Sequence, residues 1–198
     1  MFYTFENGEI SEDLEYVYSP ACKEYKTFRK EKDCIVNAEG LGLAGYEYIS
    51  LLSKQRYSSG TKVSTDCHFD SFGAPLIVFS DDVRELNGKK IYGLHFEVVA
   101  YENGCNIWHI IPDPEKKAPT RVTLVGEAEF SIANGVLVQL SAEIKDKKII
   151  AVINGNRLEV EHSDVPENFH VGITACEGIN RFYNLKIDDA NNASNLDA

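Results

Sequence analysis

Five residues able to hold a polar, ring-shaped ligand fall at strand spacing in one stretch of the chain. His95, Glu97 and Tyr101 recur in Tyr92-Gly-Leu-His-Phe-Glu-Val-Val-Ala-Tyr101, and Asn106 and Trp108 follow in Asn106-Ile-Trp-His-Ile-Ile111. In an extended strand, residues two apart share a face. His95, Glu97, Val99 and Tyr101 therefore face one way, and Leu94, Phe96, Val98 and Ala100 the other. Between the runs, Asn103-Gly104 is read as the centre of a type I′ turn, because both positions of that turn need positive φ. Pairing across it adds Asn106, Trp108 and Ile110 to the first face. An indole or phenol can stack on the C–H faces of a sugar ring while carboxylate, imidazole and amide groups hydrogen-bond its hydroxyls. A one-residue slip at a bulge would exchange the two faces.

Other chemistry-bearing residues are more dispersed. Asp66, His68 and Asp70 alternate on one side of Thr61–Asp70, a row able to bind a divalent metal or to support acid–base work if a further ligand converges from another strand. No such ligand can be identified from spacing, so no metal site is assigned. Asp66 and His68 extend the ligand-binding set if their strand lies beside the central hairpin. Asp66 and Glu97 are the candidate catalytic carboxylates, since glycoside hydrolysis needs two acids flanking the bond. Glu127 and Glu129 share a face of one strand, and Cys176-Glu-Gly-Ile-Asn-Arg181 reads as an ion-paired turn needing Gly178 at positive φ. Asp81 and Asp82 could supply oxygen ligands to calcium.

The chain has 198 residues, 43% hydrophobic and 11% aromatic, enough for one large core. Its formal charge of -11 argues against binding a phosphate backbone, which is recognised mainly through Lys and Arg. No stretch reaches membrane-spanning length. The five cysteines, Cys22, Cys34, Cys67, Cys105 and Cys176, are odd in number and include no C-x-x-C pair. That usage, with no signal peptide visible at the start, is expected of a cytoplasmic chain with reduced thiols; a secreted chain trimmed of its leader would read the same.

The elements that must position these residues are strands. From residue 60 onward, β-rich runs follow one another with turn signals between them and no amphipathic helix longer than two turns. Pro75–Ser80, Arg121–Phe130, Gly135–Ile144, Lys148–Ile153, Arg157–Val160, Val171–Ala175 and Arg181–Ile187 are expected strands. Asn154-Gly155 closes a hairpin, Asp81–Gly88 reads as a polar connection, and Pro112–Pro119 as an exposed loop. Phe2–Phe5 and Ile35–Ala38 look like strands, Leu41–Gly45 like a loop, and Glu47–Ser53 like a strand or a short helix. A single domain is expected over 1–190, with a fraying tail over 191–198.

The C-terminal third carries a family resemblance. A long strand, a hairpin ending in Ala151-Val-Ile-Asn-Gly-Asn-Arg157, a polar passage with Asp164-Val-Pro-Glu-Asn-Phe169, then His170-Val-Gly-Ile-Thr-Ala175 and Phe182-Tyr-Asn-Leu-Lys-Ile187 resemble the closing strands of the concanavalin A-like lectin/glucanase superfamily, in particular its laminin G-like jelly rolls. The resemblance spans roughly 60–188 and implies an all-β, two-sheet antiparallel jelly-roll sandwich whose concave sheet carries a carbohydrate site. The Glu-x-Asp-x-x-Glu strand of the glucanases is absent: Glu97-Val-Val-Ala-Tyr-Glu102 lacks the middle acid and sends its two glutamates to opposite faces. The expected function is therefore carbohydrate binding, non-catalytic. A glycoside hydrolase with carboxylates from separate strands is the first alternative, and a protein-interaction module using an edge or loop the second. Carbohydrate is the expected partner, with no cofactor and with the oligomeric state open.

Overall fold

A computed structural model describes residues 1–22, 26–37, 47–70, 72–113 and 120–189. The readings made for Leu41–Gly45, for most of the Pro112–Pro119 loop and for the 191–198 tail lie outside these residues. Among the described residues there are strands and no helix, hence none long and apolar enough to cross a membrane. In chain order the strands are β1 (Phe2–Thr4), β2 (Leu14–Tyr18), β3 (Arg29–Glu31), β4 (Cys34–Val36), β5 (Tyr48–Ser53), β6 (Tyr57–Ser58), β7 (Thr61–Phe69), β8 (Ala74–Ser80), β9 (Val83–Leu86) and β10 (Lys89–Tyr92). There follow β11 (His95–Tyr101), β12 (Gly104–Ile111), β13 (Arg121–Glu129), β14 (Val138–Lys145), β15 (Lys148–Ile153), β16 (Asn156–Glu161), β17 (Asn168–Cys176), β18 (Asn180–Phe182) and β19 (Asn184–Asp188).

Among the described residues all pairings are antiparallel, and they build two large sheets and the separate two-stranded β9–β10. One runs β16-β15-β14-β7-β18-β4-β3, with β19 also on β7 and β1 on β19; the other runs β13-β12-β11-β8-β17-β5-β2, with β6 on β17. The inward side chains of both form one core. Val63, Cys67, Phe69, Leu140, Ala142, Ala151, Phe182 and Leu185 come from the first sheet, and Leu51, Ile77, Phe79, Phe96, Val98, Ile107, Val171 and Ile173 from the second. The fold is the all-β antiparallel sandwich expected from the sequence, and the inward set on β11 is the one its alternation indicated.

Turn chemistry differs from the expectation at one point. Asn154-Gly155 sits at φ 48° and 86° between paired Ile153 and Asn156, the type I′ geometry read from sequence. At the central hairpin, however, Tyr101 pairs with Gly104, so the turn residues are Glu102 and Asn103, neither at positive φ. Gly104 opens β12 at φ 146°, where an added Cβ would lie 2.0 Å from the Ala128 carbonyl oxygen of β13. Glycine is there for close approach of two backbones, not for the turn. The polar connection expected over 81–88 is instead the first half of a hairpin, β9–β10, closed by Asn87-Gly88 at φ 53° and 74°. The stretch read as strand or short helix is strand, Tyr48–Ser53.

Gly104→Ala should lower unfolding free energy by more than about 2 kcal/mol, because backbone must move to admit the methyl. Gly155→Ala, with open space around its Cα, should cost only about 1 kcal/mol, the left-handed strain alone. Urea unfolding of the two variants beside wild type measures both.

Candidate functional site

The outer face of the second sheet is where the central hairpin presents its polar residues, and that face is largely covered. Val17, Leu52, Leu76, Val78 and Val99 form an apolar floor on it, and Tyr92 closes over them. The Tyr92 ring stacks on Tyr48 at 5.4 Å and leans on His95 at 4.8 Å. Its hydroxyl shares a 3.0 Å hydrogen bond with Thr174, whose Oγ1 lies 2.7 Å from Ser50 Oγ. The β9–β10 hairpin that delivers Tyr92 is tied down through Lys90 to Glu15 and through the Lys89 ammonium, which donates to the Cys22 carbonyl.

Within this face Glu97 pairs directly across from Trp108, and Val99 from Asn106. His95 is 3% exposed and the Glu97 side chain 12%. The Gly93 carbonyl lies 2.8 Å from His95 Nδ1 and can only accept, so Nδ1 carries a proton. The other ring nitrogen, Nε2, is buried without a hydrogen-bond partner and lies 3.5 Å from Glu97 Oε1. Asn106 Oδ1 is a second buried atom without a hydrogen-bond partner. Burial keeps the Tyr48 and Tyr92 phenols and the Cys176 thiol protonated well above neutral pH, and the nearby Glu97 charge adds to that. The cluster is therefore rich in acceptors: it suits a ligand that offers several O–H or N–H donors beside an apolar face. Beyond Trp108 the apolar character continues outward through Ile110, Val122 and Leu124, with the last two exposed on the edge strand. A bulge in β13 opposite Ile107/Trp108 leaves Leu124 paired with Trp108 while Val125 packs on the core.

The structure thus brings His95, Glu97, Asn106 and Trp108 together. Tyr101 lies on the same face but two pairs further along, beside Glu127 and Glu129. Asp66 and His68 do not join them. Their strand, β7, belongs to the opposite sheet, and they point outward from it, so the sandwich thickness separates Asp66 from Glu97. These two carboxylates cannot flank one glycosidic bond. On its own face Asp66 is hydrogen-bonded twice by Asn184, at 3.0 Å through its N–H and 2.8 Å through its carboxylate. It lines a shallow polar groove of about 350 Å³ with Ser64, Gln139, Ser141 and Lys186. Asp70, the third member of that row, is taken by Arg181 at 2.7 Å, which also binds Glu31 at 2.7 Å; a guanidinium there opposes a cation. Arg181 is accordingly not the partner of Glu177, although Gly178 does take positive φ (52°).

Asp81 and Asp82 do not join a third metal-ligating side chain among the described residues. The Asp82 carboxylate accepts the Val83 N–H at 2.9 Å, and burial raises the Asp81 pKa. The group whose donor atoms do converge is His109, His162 and Asp164, with all three atoms within 4.8 Å of one another. It joins residues 53 apart in sequence on different sheets, and no spacing rule could have found it. Tyr92 was also missed, though Asn87-Gly88 carries the same turn signal as Asn154-Gly155 and would have marked its hairpin. All five cysteines are free thiols, and burial pushes that of Cys105 up to about 12.

No family model and no curated protein sequence matches the chain. Solved structures do match its fold. The chain is similar to a carbohydrate-binding module, CBM66, from Bacillus subtilis, with TM-score 0.65 and 11% identity over 91% of this chain and 99% of that one. A galectin-like protein of unknown function from Bacillus subtilis matches at TM-score 0.65 and 7% identity, covering 96% and 94% of the two chains. A putative glycosyl hydrolase from Parabacteroides distasonis matches at TM-score 0.62 and 12% identity, covering 95% and 93%. At these identities the likeness is one of fold, the two-sheet all-β sandwich that the closing strands suggested.

Tyr92→Phe removes one buried hydrogen bond and should destabilise the protein by about 1 kcal/mol. Tyr92→Ala also uncovers the apolar floor and should cost about 3–5 kcal/mol. Urea unfolding separates the two, and equal effects would mean that the ring does not cover the sheet.

Proposed function

We propose that the protein is a non-catalytic carbohydrate-binding domain that receives a saccharide on the outer face of the β13–β2 sheet, beside Trp108. The observation that carries this reading is the grouping of the Glu97 carboxylate, His95 and Asn106, whose Oδ1 is buried without a hydrogen-bond partner, around a half-buried indole. Leaving such an oxygen unsatisfied costs free energy, and a hydroxyl donor arriving with a sugar removes that cost. The indole and the apolar strip beyond it supply the stacking surface that a sugar's C–H face uses. Support also comes from the fold, which a carbohydrate-binding module and a putative glycosyl hydrolase share.

Hydrolysis finds less support in the geometry. By register, Glu127 is two strands across and two pairs along from Glu97, roughly 12 Å between Cα atoms, with Trp108 and Asn106 between them. Asp66 is excluded by its sheet. A lone carboxylate hydrogen-bonded to a hydroxyl is a binding group.

An oligosaccharide array followed by calorimetry on the best ligand tests the proposal, with released reducing sugar assayed in the same samples. Trp108→Ala should weaken binding at least tenfold, Asn106→Ala several-fold, and Asp66→Ala less than twofold, with no sugar released. A ligand that Trp108→Ala binds as wild type would move the site elsewhere. Sugar release would establish a hydrolase. No binding to any glycan by a natively folded protein would end the carbohydrate reading.

A further inference from the structure

We propose that His109, His162 and Asp164 bind a borderline divalent transition-metal ion, zinc above all, as a clasp between the two sheets at one edge of the sandwich. His109 comes from β12 of one sheet; His162 and Asp164 come from the turn after β16, the edge strand of the other. The sheets meet closely here, since an added Cβ on Gly126 of β13 would lie 2.3 Å from Val160 of β16.

His109 is the fixed point. It is 3% exposed, on the core side of its strand, with its ring stacked on Phe96 at 4.7 Å and 15° and against His162 at 4.5 Å. Its Nε2 is fully buried, has no hydrogen-bond partner and lies 3.6 Å from Asp164 Oδ2. A buried nitrogen aimed at a carboxylate without hydrogen-bonding it is placed as two ligands of one ion are placed. Four-coordinate zinc, with bonds near 2.0–2.1 Å, sets its ligand atoms about 3.4 Å apart. His109 and Asp164 already stand close to that, and a turn of the His162 ring brings in the third. Asp164 N–H reaches His162 Nδ1 over 3.2 Å. Whichever ring nitrogen takes the ion, Nδ1 ceases to accept that amide, so coordination replaces one weak hydrogen bond. The turn is otherwise anchored: Val165 N–H donates to the His162 carbonyl, and the Lys147 ammonium donates to the Val165 carbonyl at 2.7 Å.

The donor set selects the ion. Two imidazoles and one carboxylate suit zinc and its neighbours, whereas calcium and magnesium require mostly oxygen ligands. The Asp164 side chain is 45% exposed and marks the solvent side, where water or an external ligand would complete the coordination.

The experiment is zinc titration of chelator-treated, full-length protein by calorimetry, by competition with a chromophoric chelator and by thermal unfolding. One zinc per chain should bind, and a hundredfold excess over Kd should raise Tm by about 5–10 °C. His162→Gln and Asp164→Asn, both in the turn rather than the core, should keep the metal-free Tm within a few degrees yet lower zinc affinity at least tenfold. His109→Gln should abolish binding, and calcium or magnesium should leave Tm unmoved. Zinc binding that survives in the turn variants, an equal shift with calcium, or no binding at millimolar zinc would each overturn the proposal.

Discussion

Burial on both faces of the β13–β2 sheet is the constraint from which the other features follow. An antiparallel sheet ordinarily leaves one face to water and alternates accordingly. Here β8 is buried along its whole length, Ile77 and Phe79 toward the core and Leu76 and Val78 toward the outside, so its sequence is a continuous apolar run. The outer apolar set needs its own cover, and the β9–β10 hairpin brings Tyr92 to it. Once that ring is down, the neighbouring polar groups of β11 lose solvent, and their remaining partners are one another: His95 with Gly93 and Glu97, Tyr92 with Thr174 and Ser50.

The two outer faces therefore offer ligands different things. On the β16–β3 sheet, polar side chains alternate regularly and several satisfy one another, as in the Asp66–Asn184 pair and the Arg181 ion pairs, although His68 Nε2 is buried without a hydrogen-bond partner. A ligand in the groove beside Asp66 would trade with hydrogen bonds already made, which yields little net free energy. On the β13–β2 sheet Asn106 Oδ1 is buried and unused. The half-covered face joins such an acceptor to the Glu97 carboxylate and the Trp108 indole, which makes it the better candidate despite being the less polar.

Much of this was legible in the chain because period-two alternation needs no knowledge of partners. Phe96, Val98 and Ala100 against His95, Glu97 and Tyr101 divide correctly from sequence alone, and Asn154-Gly155 locates its turn. What depends on partner choice was not legible. Asp66 and His68 were correctly turned outward, but which sheet β7 joins is decided by pairing with β14, β18 and β19, far away in the chain. Gly104 looked like a turn residue because the reason for it, the Ala128 carbonyl, lies on a strand that docks later. His109 and His162 meet only because the sheets close face to face, which leaves no local mark.

The same closure bears on why a single carboxylate at the site favours binding over cleavage. Glu97 is held by the pairing of β11 with β12 and β8, so its position relative to Trp108 is set by the ladder and not by a loop that could swing. A hydrolytic pair must straddle a bond, one acid on each side, which in a sheet asks for carboxylates on facing walls of a cleft. Here the side facing Glu97 across the strand is indole, and the next is Leu124. Stacking surface thus stands where a second acid would have to be. Ladder geometry that fixes a flat ring beside one carboxylate suits holding a sugar in a single orientation, with indole and then leucine, not a second carboxylate, directly across from Glu97.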